Sequence, residues 1–141
     1  DYVIKTYEKI LSKNKINLIF NKIDNCKIIG DRDKLIEIFT NLIDNSIKYS
    51  DKNKEIIITA KKDEDLIIIS VADQGIGIPK ESIHRITERF FTVDPSKSRS
   101  VGGTGLGLAI VKHLVSQHRA EMDINSIENQ GTTIDIKFNS L

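Results

Sequence analysis

Three short places in the chain hold residues whose types and spacing could do chemistry. The first is Gly102-Gly103-Thr104-Gly105-Leu106-Gly107, which opens an apolar helical pattern and so gathers free backbone N–H groups and the positive end of a helix dipole at one spot. Phosphate is the natural occupant of such a spot. Lys97 and Arg99 stand just before it, cations able to fold over a polyphosphate as part of a lid. Two familiar phosphate loops do not fit. A P-loop ends in Gly-Lys-Ser/Thr, whereas Gly107-Leu108-Ala109 lacks the lysine and the hydroxyl. A dinucleotide fingerprint follows directly on a strand, whereas a polar stretch precedes these glycines and their spacing differs. The competing reading is a flexible glycine linker, which the anchored apolar helix behind it disfavours.

The second place is Asp73-Gln74-Gly75-Ile76-Gly77-Ile78-Pro79, directly after an isoleucine-rich run. Asp73 then sits where the chain leaves a sheet, and its carboxylate is partly buried. Gly75 and Gly77 let the backbone turn tightly or approach a ligand, and a carboxylate at the rim of an apolar pocket can accept from an exocyclic amine such as adenine's. An ordinary turn with a capping Asp is the competing reading. The third place is a stripe. Glu37, Asn41, Asn45 and Lys48 follow one another at spacings of four, four and three, beside an apolar helix face made by Leu35, Ile36, Ile38, Phe39, Leu42, Ile43 and Ile47. Asn is a poor helix former, so two of them one turn apart suggest positions chosen for carbonyl oxygens and amide hydrogens. A solvated face with chance amides is the alternative.

These places need elements to hold them. Ile4, Tyr7, Ile10 and Leu11 predict an amphipathic helix over the first dozen residues, ending before Asn14. Residues 16–20 and 27–29 read as short strands joined through the turn-like Asp24-Asn25, and Asp31 or Asp33 caps a helix running to about Tyr49. Residues 55–61 and 66–72 read as two central strands paired as a hairpin through Lys62-Asp63-Glu64-Asp65. A short helix over 80–90 and a polar stretch over 92–103 follow, then a helix over 105–118 through Leu108, Val111, Leu114 and Val115. Strands over 121–127 and 132–138 flank Asn129-Gln130-Gly131. Strands grouped in hairpins with three longer helices between them predict α+β layers, with the helices on one face of a mostly antiparallel sheet. There is no repeat and no linker.

Composition sets the outer limits. The chain has 141 residues and 15.9 kDa, the size of one domain over 1–141 with room for one core. It is 39% hydrophobic and 29% charged, with no apolar run near the roughly 20 residues of a bilayer span. Lys+Arg 21 against Asp+Glu 20 leaves +1, so the whole-chain field attracts neither nucleic acid nor anionic lipid, and an anion site must be built locally. The single Cys26 excludes an internal disulfide framework or a multi-cysteine zinc site and reads as a buried, inert thiol. Starting at Asp1-Tyr2-Val3-Ile4-Lys5, without an initiator Met, signal peptide or transit sequence, the chain reads as cut from a longer one.

Taken together these segments resemble the ATP-binding catalytic domain of sensor histidine kinases, within the larger gyrase, Hsp90, kinase and MutL ATPase group. The resemblance covers nearly the whole chain. Asn41-Leu42-Ile43-Asp44-Asn45-Ser46-Ile47-Lys48-Tyr49 looks like the N box, Asp73-Gln74-Gly75-Ile76-Gly77 the G1 box and Glu88-Arg89-Phe90-Phe91 the F box. Gly103-Thr104-Gly105-Leu106-Gly107-Leu108 looks like the G2 box, and Gly131-Thr132-Thr133 the last glycine box. Residues 85–93, 98–99 and 102–113 are most similar to phosphate-responsive and cell-wall sensor kinases of Gram-positive bacteria.

The resemblance implies a two-layer α/β sandwich of the Bergerat type, with ATP between the N-box helix and a mobile lid over about 92–104. It also implies roles for residues. Asn45 would ligate Mg²⁺, with Asn41 acting through water, consistent with magnesium's taste for phosphates, waters and few protein oxygens. Lys48 would reach a phosphate and Tyr49 would flank the adenine. Asp73 would accept from the adenine amine, with Gly75, Gly77 and Ile78 lining the base. Gly103, Thr104, Gly105, Leu106 and Gly107 would hold phosphates, Arg99 would be a lid cation, and Thr132 or Thr133 would reach the base through water. Thr87 departs from the pattern by standing where the F box has its first Phe, and Asn129 replaces a usual Gly, as a residue that also accepts left-handed backbone geometry. Asn41 stands where hydrolysing members carry a general-base Glu, which favours phosphoryl transfer to a protein over hydrolysis.

His84, His113 and His118 are the only histidines, and none has the sequence context of a phosphoacceptor. Structural or surface roles suit all three. The acceptor would therefore lie in a separate dimerisation and phosphoacceptor domain, with a response regulator as the indirect partner, and the chain would be the cytoplasmic domain of a membrane-anchored bacterial sensor kinase. It would bind Mg-ATP without phosphorylating itself and would touch neither nucleic acid nor membrane directly. The alternatives are a nucleotide-sensing module that has lost transfer, and a serine kinase of the anti-sigma-factor type.

Overall fold

The computed structural model describes residues 2–13, 15–22, 27–50, 54–89, 91 and 107–140. The chain runs α1 (Tyr2–Lys13), β1 (Asn17–Lys22), α2 (Arg32–Lys48), β2 (Glu55–Asp63), β3 (Leu66–Asp73), a 3₁₀ turn (Lys80–Ser82), α3 (Gly107–Gln117), β4 (Glu121–Ile127) and β5 (Gly131–Asn139). The five strands form one sheet in the order β1-β2-β3-β5-β4. β1 lies parallel to β2, as the α2 crossover between them requires, and the other neighbours are antiparallel. β2 and β3 are central and joined by a hairpin, as the isoleucine runs predict. The hairpin is tighter than the charged run suggests, because pairing continues to Asp63↔Leu66 and Glu64 takes φ 53 in the two-residue turn.

Alternation decides which face is dry. The register aligns Leu18 and Phe20, Ile56 and Ile58, Ile67 and Val71, Ile134, Ile136 and Phe138, and Met122 and Ile124 on one face. Tyr7 of α1, Ile38, Leu42 and Ile43 of α2, and Leu108, Val111, Leu114 and Val115 of α3 join the same apolar cluster. All three helices therefore cover one face, and each fully buried Ile or Leu there is worth about 1.5–3 kcal/mol. The other face carries polar pairs, Ser70 with Asp135 and Lys137 with Asp123.

Polar ties set the positions of the helices. Asp31 caps α2, its side chain accepting from the Lys34 N–H at 3.1 Å. Its own backbone N–H donates to His118 Nε2 at 3.1 Å, while His118 Nδ1 bonds the Leu114 carbonyl at 2.8 Å and the ring sits edge-on to Phe138. One imidazole thus joins the start of α2 to the end of α3. On the other flank, Tyr7 donates to Asp44 Oδ1 at 2.7 Å and fixes α1 on α2. Burial, first, and the Asp44 carboxylate raise the Tyr7 phenol well above its usual range.

Two sequence expectations fail. Residues 27–29 form no strand; their apolar character packs Ile28 against the core and leaves Ile29 79% exposed. The helix expected over 80–90 is a 3₁₀ turn followed by consecutive turns, closed by Arg85 N–H to Ser82, Glu88 N–H to Arg85 and Phe91 N–H to Glu88. Ile83, Ile86 and Thr87 are β-branched, and so short a segment gains little from helical propagation. Asp24, Asn25, Cys26 and the lid expected over 92–104 lie outside the described residues. Among the described residues no helix is long and apolar enough to cross a membrane.

Candidate functional site

Asp73 is the last residue of β3, and alternation turns it to the same face as Val71, toward the helices. Three donors meet it there. Oδ1 accepts from the Gly75 N–H at 2.9 Å and the Thr132 N–H at 3.2 Å, and Oδ2 accepts from the Ser46 hydroxyl of α2 at 3.3 Å. Burial still pushes the carboxyl above its usual range, because desolvation outweighs the three hydrogen bonds. With one lone pair of Oδ2 left over by the described donors, the carboxylate is a ready acceptor for a donor arriving from outside.

The loop after Asp73 threads between two other segments. Gly75 lies so close to Tyr49, the C-cap of α2, that a Cβ would collide with its carbonyl, which also accepts from the Ile76 N–H at 3.2 Å. Gly77 has φ 69, and a Cβ there would strike the Ile127 carbonyl. Both glycines are therefore needed by the protein's own packing. Ile78 is buried and donates its N–H to Ser126 Oγ at 2.7 Å; Ser126 also bonds the Thr132 hydroxyl at 2.8 Å and the Gly131 carbonyl at 3.0 Å. Asn129 takes φ 66 in the β4–β5 turn and donates to the Ile76 carbonyl, the left-handed geometry expected of it.

Asn41, Asn45, Lys48 and Tyr49 are all half-buried along the last turns of α2, with Glu37 exposed beyond them. Asn41 Nδ2 donates to the Glu37 carbonyl at 2.9 Å, its Oδ1 accepts from no donor among the described residues, and that oxygen lies nearest the start of α3 at Gly107. An amide oxygen presented this way suits a hard cation that keeps most of its other ligands as phosphate and water. No cluster of His, Cys, Asp and Glu able to hold a metal occurs among the described residues. Arg99, Gly103, Thr104, Gly105 and Leu106 lie outside the described residues.

The structure thus brings Asp73, Gly75, Gly77, Ile78 and Thr132 together with the end of α2, and Asn41 together with Gly107. Thr133 is separated from them. It pairs with Ala72 and Asn125 on the opposite face of the sheet, so of the two threonines only Thr132 shares the helix side with Asp73. His84 and His113 are exposed and His118 is the structural tie described above, as their surroundings in the sequence suggest. Ser46 and Ser126 were not among the residues picked from sequence. Ser46 carried a signal, since it follows Ile38 and Leu42 at spacings of four and is a hydroxyl on the apolar line of α2. Ser126 carried none, because its partner Ile78 is 48 residues away.

Residues 30–140 match the family described as histidine kinase-, DNA gyrase B-, and HSP90-like ATPase. The chain is 43% identical over 106 residues to sensor histidine kinase WalK of Bacillus subtilis, covering 74% of this chain and 17% of that protein. It is 43% identical over 109 residues to phosphate regulon sensor protein PhoR of Pseudomonas aeruginosa, covering 77% of this chain and 25% of that protein. It therefore spans a quarter or less of either relative. Among solved structures it is similar to the nucleotide-free catalytic domain of histidine kinase ThkA, with TM-score 0.85, 26% identity, and coverage of 99% of this chain and 90% of that one. The mycobacterial sensor histidine kinase MprB superposes with TM-score 0.83 at 27% identity, over 98% of this chain and 91% of that one. With the half-buried Asp73 at the end of its strand, the amide stripe of α2 beside it and a family match across most of its length, the chain belongs to the histidine kinase-, DNA gyrase B- and HSP90-like ATPase family.

Proposed function

We propose that the chain binds Mg-ATP and donates its γ-phosphate to a histidine in a separate dimerisation and phosphoacceptor domain of a two-component sensor kinase, which then phosphorylates a response regulator. One observation carries the reading. The Asp73 carboxylate is held by Gly75, Thr132 and Ser46 with one oxygen still able to accept, which matches the exocyclic amine of adenine and mismatches the carbonyl that guanine places there. The match to sensor kinases over most of the chain supports the transfer that follows.

From the base outward, Tyr49 would flank the adenine, Lys48 would reach a phosphate, Asn45 would offer its amide oxygen to Mg²⁺, and Asn41 would act through water. Magnesium, when bound, neutralises charge on the transferring phosphoryl group. Gly103 to Gly107 hold phosphates through backbone N–H groups, and Arg99 adds a cation from a lid over about 92–104. In transfer, the bond between the γ-phosphorus and the ADP oxygen breaks while a bond to an imidazole nitrogen of the acceptor forms. Asn41 cannot act as a general base, because an amide has no basic lone pair and its nitrogen is spent on the Glu37 carbonyl. Water is therefore poorly activated, and the phosphoryl group waits for its acceptor. The chain would be the cytoplasmic catalytic part of a membrane-anchored kinase.

Calorimetric titration with a non-hydrolysable ATP analogue, with and without Mg²⁺, tests the site. Saturable, Mg-dependent binding that excludes the GTP analogue is expected; a folded chain that binds neither analogue, or both equally, would overturn the reading.

A further inference from the structure

Ser46 is 4% exposed and is the one polar side chain fully inside the core among the described residues. It lies on α2 one position after Asn45, on the line of Ile38 and Leu42 that faces the sheet. A hydroxyl in such a place costs free energy unless it is hydrogen-bonded, and its partner is Asp73 Oδ2 at 3.3 Å. The two oxygens of Asp73 are not equivalent. Oδ1 is filled by two backbone donors, from Gly75 and Thr132, whereas Oδ2 has Ser46 and one lone pair to spare. Any proton binding Asp73 would therefore go to Oδ2, and it would turn the acceptor that faces an incoming amine into a donor.

We propose that Ser46 is a positioning residue of the nucleotide site, whose hydroxyl holds Oδ2 of Asp73 in place as a charged acceptor for the exocyclic amine of the base. The inference rests on the adenine reading of Asp73 given above. Burial raises the carboxyl, and the donors opposing it are Gly75 from the loop, Thr132 from β5 and Ser46 from α2; no charged side chain contributes to the shift among the described residues. The two backbone donors come with the fold. Ser46 is the one side chain in the set, so it is where the sequence can tune how acidic a solution the site tolerates.

Ser46→Ala removes the hydroxyl, leaves no new atom to accommodate and puts the best helix former on α2. The affinity of the 141-residue chain for the non-hydrolysable ATP analogue would be measured from pH 5 to pH 8 for wild type, Ser46→Ala and Asp73→Asn. At pH 8 Ser46→Ala is expected to bind about threefold more weakly than wild type, because Oδ2 is no longer held in place. At the acid end the variant should bind roughly tenfold more weakly, as loss of a hydrogen bond to a charged group predicts. Carbon NMR of the Asp73 carboxyl in the ligand-free chain gives a second readout, and the Ser46→Ala carboxyl should titrate at the higher pH. A purely structural role would lower stability and leave both pH profiles where they were. Superimposed profiles, in a chain whose adenine selectivity is lost in Asp73→Asn, would overturn the role of Ser46 and leave that of Asp73 standing. A wild-type chain indifferent to the base and to Asp73→Asn would overturn both.

Discussion

Asp73 pulls stability and binding in opposite directions. Burial raises its carboxyl in the folded chain, so the fold binds this proton more tightly than the unfolded chain does. The associated stability is fully present below the unfolded value and is lost as pH rises through the folded one. Asp73→Asn removes that dependence while keeping an oxygen for the Gly75 and Thr132 N–H groups. The ligand-free variant should therefore gain melting temperature relative to wild type as pH rises toward neutral, and should bind ATP about tenfold or more weakly. A melting difference that stays constant across pH 4–8 would contradict this account of Asp73. Asn45 behaves differently because it stands on the polar stripe of α2 and not on the line that faces the sheet. Asn45→Ala should weaken Mg-dependent binding roughly tenfold or more, with an unfolding midpoint close to wild type, and normal transfer to an acceptor domain by that variant would sink its assignment as a metal ligand.

Between elements, the site depends on how α2 and α3 are held over the sheet. His118 uses both ring nitrogens to do this, on Asp31 and on Leu114. His118→Ala should cost about 2 kcal/mol in urea unfolding, from two lost hydrogen bonds and the contact with Phe138, and should expose the Asp31 amide to hydrogen exchange. A loss below about 0.5 kcal/mol would mean the tie is dispensable. Thr87 raises a different question of packing. It lines a groove of about 630 Å³ with Ile83, Val115, Met122 and Ile124, under the turns that replace the expected helix, at the position where the resembling F box carries Phe. Thr87→Phe should fill part of this groove, contributing about 1 kcal/mol and raising Tm by about 3 °C. An unchanged or lower Tm would show that the ring is not accommodated there.

At the scale of the whole molecule, neither exposed histidine resembles an acceptor and the third is tied into the core. Incubation of the chain with Mg-ATP should leave no phosphohistidine, and adding a separate acceptor domain should produce it there; phosphate appearing on the chain itself would contradict the division of labour proposed above. Local patterns were enough to find α1, α2, the β2–β3 hairpin, the β4–β5 hairpin and the stripe of Asn41, Asn45 and Lys48, because helix and strand periodicities are carried by neighbours in the chain. The same patterns misread 27–29 and 80–90, where apolar residues serve packing or turns without repeating long enough to fix a regular element. The parallel pairing of β1 with β2, the separation of Thr132 from Thr133 by the pleat, and the joining of Ser46 to Asp73 and of Ser126 to Ile78 depend on register between distant segments. Residue types along the chain could therefore name the Asp73 carboxylate, but its three donors come from α2, the following loop and β5. Only the packed fold, by burying those segments against one another, decides which oxygen of Asp73 is left to meet a ligand.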